Sequence, residues 1–302
     1  MEEYKYLPLE GLLSLNKNQF SNADIFSVIN EAEKTIDSSP KGRVSHLALL
    51  FYLINILENA GLEFYVKGGV IQHYYLKDKA RVTNDLDVII KDNSDTFYQK
   101  LMNALSLVND GLTFKVIHYS HYPADKKYYY DIFNIELMVF YQDKEWMDIT
   151  IDGISNPFIF DNIDPISYQI PEIIAPNSSF KGVPIAYVLA EKIMAITNEL
   201  ARPCKHLVDV YSLIHTHIDV SLLKNYLAII LKNDNHVREK LGLDNKPYSY
   251  SIKDDKPFVS SYIFSALQAG YTLSFDEMKK EVNAWLINNL THFSKKPPTS
   301  FY

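Results

Sequence analysis

The 302-residue chain is 47% hydrophobic and 22% charged, a balance that suits one large or two ordinary folded domains with a sizeable core. Its 30 Lys and Arg are outnumbered by 37 Asp and Glu; at a formal charge of -7 the overall field does not recruit nucleic acid, so an RNA acceptor would need a local basic patch. Cys204 is the single cysteine, which excludes an internal disulfide and a cysteine-based metal cage and fits a reducing, cytoplasmic compartment.

No membrane segment is expected. The most apolar stretch, Leu47 to Leu57, contains Asn55 and falls well short of the roughly 20 residues of a spanning helix, and Glu2, Glu3 and Lys5 do not open a signal peptide. In residues 23–39, Ile25, Val28, Ile29 and Ala32 recur at the three-and-four spacing of one helical face, and residues 44–60 predict a second, more buried helix. Glu63 to Val66 then predict a short strand, Gly68-Gly69 a tight turn, and Val70 to Leu76 a helix. Leu86 to Ile90 is a strand-like run, Thr96 to Leu107 is helical, and Thr113 to His118 returns as a strand.

Ile135 to Phe140 and Glu145 to Ile151 form a hairpin pattern around Gln142-Asp143-Lys144. Pro157, Pro165, Pro171, Pro176 and Pro184 argue against long regular elements between Gly153 and Pro184. Helical patterns follow at Pro184 to Glu199, His206 to Ile214, Leu222 to Leu231 and from Ser274, where Glu277 three residues on predicts a capping box. The expected fold is therefore an α/β first half followed by a mostly α-helical second half.

Asp85 and Asp87 flank Leu86 at the start of an apolar strand, and because side chains alternate along a strand both carboxylates project from one face. Such a pair can bridge divalent cations; Mg²⁺ takes oxygen ligands and neutralises triphosphate charge in phosphoryl and nucleotidyl transfer. Trp146, Asp148, Thr150 and Asp152 share a face of a later strand, which offers Asp148 as the third ligand, with Asp152 as the alternative. An isolated Asp-x-Asp is weak, and Gly68-Gly69 alone is as often an ordinary turn as a phosphate cradle. The order strand, Gly-Gly turn, helix, Asp-x-Asp strand is what points to a nucleotide, held by backbone N–H groups at a helix N-terminus.

Two further features favour plain structural explanations. His215-x-His217 lacks further ligands at zinc-finger spacing, and Lys126-Lys127 before Tyr128-Tyr129-Tyr130 fits an exposed hairpin end as well as an RNA contact.

The segment VKGGVIQHYYLKDKARVTNDLDVII resembles the nucleotidyltransferase superfamily, and within it the AbiEii/AbiGii toxin branch, through Lys67, Gly68, Gly69, Arg81, Thr83, Asp85 and Asp87. A second block, LAEKIMAITNELARPCKHLVDVYSLI, is similar to the branch's later motif through Glu191, Lys192, Arg202, Asp209 and Tyr211. One departure is His206, where the family commonly carries an acid.

The resemblance implies a nucleotidyltransferase-type mixed sheet flanked by helices over residues 1–183, with a helical C-terminal domain over 184–302 that contributes to the cleft. It implies a toxin-type nucleotidyltransferase with an NTP as substrate, Mg²⁺ or Mn²⁺ as the ion, RNA and in particular tRNA as acceptor, and a cognate antitoxin as partner. The rival readings are a small-molecule or protein acceptor and a non-catalytic nucleotide-binding protein. The resemblance carries over Asp85 and Asp87 for metal, Lys67, Gly68, Gly69, Arg81, Thr83 and Lys192 for nucleotide, and Lys192 and Asp209 beside the metal ligands in catalysis; Asp148 joins the metal ligands and the catalytic set from strand alternation.

Overall fold

Apolar spacing fixes the first long helices. In a computed structural model that describes residues 8–15, 23–36, 43–123, 130–197, 204–240, 242, 252 and 259–290, a short helix α1 (Pro8–Ser14) precedes α2 (Ile25–Thr35) and α3 (Arg43–Asn59). The positions picked out by periodicity in α2, Ile25, Val28, Ile29 and Ala32, are its buried ones, and Asp24 caps it by accepting from the Ser27 N–H at 2.7 Å. In α3 apolar residues run around the whole circumference, and Leu47 to Ile54 are all buried.

Contacts divide the chain into two compact units, one of Met1–Lys77 with Val82–Val183 and the other of Asp78–Arg81 with Pro184–Tyr302. The first contains β1 (Phe64–Val66), α4 (Gly68–Leu76), β2 (Asp85–Ile90), α5 (Ser94–Ser106), β3 (Leu112–Tyr122), β4 (Asp131–Tyr141), β5 (Lys144–Ser155), α6 (Pro157–Asp161), β6 (Ile166–Gln169) and β7 (Ser179–Gly182). Its seven strands form one mixed sheet in the order β3-β4-β5-β2-β1-β7-β6. β2 is antiparallel to β1 and parallel to β5, while β4 pairs antiparallel with both β3 and β5.

The hairpin expected around Gln142-Asp143 is present, with both residues at positive φ (50° and 63°), as a tight two-residue connection requires. The proline-rich stretch between Gly153 and Pro184 holds only short elements, yet one of them, β7, enters the sheet beside β1.

Register explains the pattern of burial. Leu86, Ile151 and Ile135 form a row across β2, β5 and β4, and all are fully buried. In the next row of that face a Cβ on Gly153 would overlap the Phe133 ring, so the strand needs glycine there. One residue out of phase, the rows run Asp85–Thr150–Glu136–His118 and Asp87–Asp152–Asn134–Ser120. The polar set therefore shares the opposite face. Trp146 drops out of its expected alternation, because the β4/β5 register shifts at that point, and its ring sits edge-on to Phe26 with centroids 4.8 Å apart.

The second unit is helical: α7 (Ile185–Thr197), α8 (Cys204–Ile214), α9 (Val220–Lys240), α10 (Val259–Gln268) and α11 (Phe275–Leu290). α7 packs against α8 and α9, and α8 also against α10 and α11. The predicted capping box starts α11: Ser274 Oγ accepts from the Glu277 N–H at 3.3 Å, and Glu277 Oε2 accepts from the Ser274 N–H at 2.8 Å. Among the described residues no helix is long and apolar enough to cross a membrane.

Candidate active site

The sheet face carrying Asp85 and Asp87 meets the glycine turn directly. β1 ends at Val66, the Lys67 N–H donates to the Asp87 carbonyl oxygen at 2.9 Å, and the chain turns into α4 at Gly68, whose φ is 65°. Glycine takes that conformation without the steric cost that a Cβ brings. A Cβ on Gly68 would overlap the Asp87 carboxylate, and one on Gly69 would overlap the Thr83 side chain. Both glycines thus let the turn lie against the residues that follow it in the motif. Lys67, at the N-cap of α4, makes no side-chain capping hydrogen bond, so the first-turn N–H groups have no side-chain cap from that residue.

Thr83, expected on the nucleotide, donates from Oγ1 to the Asp85 carbonyl oxygen at 3.1 Å and so braces the start of β2. β2 itself explains the motif's composition. Asp85 and Asp87 alternate with buried Leu86, and Val88, Ile89 and Ile90 are all buried because β2 is the fourth strand of seven.

The two candidates for a third carboxylate stand at different places. Asp152 is directly opposite Asp87 and is half-buried, with Oδ1 accepting from Asn134 Nδ2 at 2.7 Å. Asp148 is exposed and lies two residues short of the first β2–β5 rung, which joins Asp85 to Thr150. Glu136, opposite Thr150, adds a further carboxylate to this face, and neither it nor Asn134 belongs to the recognised motifs. Alternation along a single strand cannot show which strands become neighbours.

A second cluster lies within the helical unit. Asp209 on α8, 1% exposed, accepts from Arg81 Nε at 2.6 Å and Nη2 at 2.9 Å, and forms an ion pair with Lys192 Nζ of α7 at 3.1 Å. Lys192 also faces His206 Nδ1 at 3.3 Å. Burial alone would raise the Asp209 carboxyl, but the charges of Lys192 and then Arg81, with the hydrogen bonds of Arg81, hold it well below the ordinary carboxylate range. Burial, followed by the charge of Lys192, pushes the His206 imidazole down to about 3, so it is neutral and its Nδ1 accepts from the ammonium.

The fork of Arg81, expected on the nucleotide, is thus engaged with Asp209, and Lys192 has Asp209 as its counter-ion. Arg202 lies outside the described residues, and Lys205 is exposed. Lys126, Lys127, Tyr128 and Tyr129 also lie outside them. His215 Nδ1 bonds the Tyr211 carbonyl oxygen at 2.7 Å.

Among the described residues no three His, Cys, Asp or Glu side chains stand close enough together to hold a metal ion between them. The donor set still fits a hard ion. Mg²⁺ is ordinarily held by one or two carboxylates, with substrate phosphates and water completing its shell. Asp85 and Asp87 on one face, with the Asp87 carboxylate against the Gly68 turn, match an ion that arrives with the triphosphate.

No curated protein matches the chain. Among solved structures, MenT4, a nucleotidyltransferase toxin from Mycobacterium tuberculosis H37Rv, is 14% identical with a TM-score of 0.49, over 93% of this chain and 98% of that one. JHP933 from Helicobacter pylori is 14% identical with a TM-score of 0.47, over 85% and 96% of the two chains. Family membership rests on the sequence instead: the model of the nucleotidyl transferase AbiEii toxin family, type IV toxin–antitoxin system, matches residues 52–290. The chain therefore belongs to the AbiEii toxin family and is a nucleotidyltransferase.

Proposed function

We propose that the protein transfers a nucleoside monophosphate from an NTP to an acceptor hydroxyl, with Mg²⁺ bound at Asp85 and Asp87 and Asp152 as the third carboxylate of the site. The observation that carries this reading is the register: Asp87 and Asp152 are direct neighbours, Asp85 is one position along on the same face, and the Asp87 carboxylate rests on the Gly68 turn. Asp148, two residues from the nearest rung, ranks behind Asp152 for that role.

Each residue has a definite task. The α4 N-terminus at Gly68 and Gly69 receives phosphate oxygens, since first-turn N–H groups without a side-chain cap from Lys67 and the helix dipole both favour an anion. Asp85 and Asp87 hold the ion, which when bound would offset phosphate charge and lower the pKa of the acceptor hydroxyl. The acceptor oxygen attacks the α-phosphorus in line, the bond from that phosphorus to the pyrophosphate oxygen breaks, and the hydroxyl proton passes to the Asp152 carboxylate. Lys192, by family resemblance, supplies a cation to the triphosphate, with Asp209 orienting it.

As a type IV toxin the protein is expected to have a cognate antitoxin, and the family resemblance supports RNA, in particular tRNA, as the acceptor. A small-molecule or protein acceptor is the second reading, favoured by the net charge of -7 and by Glu136 and Asp148 on the carboxylate face. The deciding experiment incubates the protein with each labelled NTP, Mg²⁺, and total RNA or total protein, beside the Asp85→Asn/Asp87→Asn variant. Label on RNA that vanishes in the variant supports the tRNA reading, and label on protein supports the second. Equal labelling by the variant removes the metal assignment.

A further inference from the structure

We infer that Asn134 is a positioning residue that orients the Asp152 carboxylate for its part in the site, an inference that rests on the reading of Asp152 as third carboxylate. Asn134 lies on β4 directly opposite Asp152, is half-buried, and donates from Nδ2 to Oδ1 at 2.7 Å. On its other side Asp152 faces Asp87 across β2. The row Asp87–Asp152–Asn134 thus places the two acidic residues on adjacent strands, whose backbones run about 5 Å apart, with the Asp87 carboxylate against the Gly68 turn and the Asp152 carboxylate bonded to Asn134. An amide beyond the second carboxylate takes up one of its oxygens and leaves the other available.

The chemical class of residue 134 matters. A Lys or Arg there would form an ion pair with Asp152 and compete with any cation for it, while an acid would add a third negative charge to the row. An apolar residue would leave the carboxylate free to rotate. A neutral donor fixes the orientation without neutralising the charge, as hydrogen-bond partners of metal-bound carboxylates commonly do. Nothing in the local sequence DIFNIEL marks this residue, because its role comes from strand pairing alone.

The test measures binding of Mn²⁺ to the full chain, from the spin resonance of free Mn²⁺ in the presence of a non-hydrolysable NTP analogue, for Asn134→Leu, Asn134→Gln, Asp152→Asn and the Asn134→Leu/Asp152→Asn double variant. Asn134→Leu keeps the branched shape and loses the donor; it is expected to weaken Mn²⁺ binding about tenfold to a hundredfold. Asn134→Gln, which keeps a donor, should recover most of that loss. The double variant should be no weaker than Asp152→Asn alone, because the amide acts through that carboxylate. The Mn²⁺ concentration needed for half-maximal transfer should rise in Asn134→Leu and return towards the parent value in Asn134→Gln, a shift that mere loss of folded protein would not give. Should Asn134→Leu not fold, Asn134→Ala takes its place with the same expectations. Wild-type Mn²⁺ affinity in Asn134→Leu, with Asp152→Asn impaired, overturns the inference but leaves the carboxylate assignment standing. Wild-type affinity in Asp152→Asn overturns both.

Discussion

Replacing Asp209 with Ala separates two roles that its position in the motif leaves entangled. In the folded protein its carboxylate is shared by Arg81 and Lys192, which are 17% and 16% exposed, while Asp209 itself is 1% exposed. Asp209→Ala leaves both cations in place without their anion, and breaking a buried pair in this way costs about 3–5 kcal/mol. Against a total stability of roughly 5–15 kcal/mol, that is a fifth of the margin or more. The midpoint of thermal unfolding should fall by about 10 °C. Urea unfolding is the better assay, since an unchanged slope with a lower midpoint reports stability alone.

The pH dependence follows with the same sign. The folded pKa of Asp209 lies below its unfolded value, so its contribution is fully present above the ordinary carboxylate range and is lost as the pH falls through and below it. In Asp209→Ala that part of the acid sensitivity should vanish. A variant whose stability stays within about 0.5 kcal/mol of the parent, yet which no longer transfers nucleotide, would refute the reasoning and make Asp209 a purely catalytic group.

Three other outcomes are expected. Gly68→Ala forces a Cβ into the Asp87 carboxylate at a positive φ, so beyond a stability loss of at least about 1 kcal/mol transfer should drop sharply; near-normal transfer in a folded variant would mean that the carboxylate position there is unimportant. His206, neutral with its folded pKa pushed down to about 3, binds a proton in the unfolded chain first, so stability should fall as pH drops below about 6.5. His206→Asn should remove on the order of 2 kcal/mol of that loss at pH 5, checked by unfolding at pH 7 and pH 5. Lys192→Ala should weaken NTP affinity about tenfold to a hundredfold. Unchanged affinity in a stably folded Lys192→Ala protein would confine the lysine to its ion pair.

Local pattern made much of the fold legible. The spacing of Ile25, Val28, Ile29 and Ala32, the Gly-Gly turn, the hairpin at Gln142-Asp143 and the capping box at Ser274 are all properties of a few adjacent residues. The helices α1 and α10, of 7 and 10 residues, are too short for apolar spacing alone to reveal them. At the site, Asp85 and Asp87 could be recognised because both belong to one strand. The choice between Asp148 and Asp152 could not be made in that way, as both alternate to the same face and only the β2–β5 register separates them. The joining of Arg81 to Asp209, 128 residues away, has no periodic signature at all.

The four residues Asp78–Arg81 belong with the helical unit although their neighbours on both sides belong with the sheet. A gene fragment beginning at Pro184 would therefore encode the helices without the guanidinium that occupies Asp209. The helical part is not a cassette that recombination can move intact between proteins, because its buried carboxylate depends on a peptide stored inside the other module. Trading one half for that of a distant relative should succeed only when the short stretch before the aspartate pair travels with it.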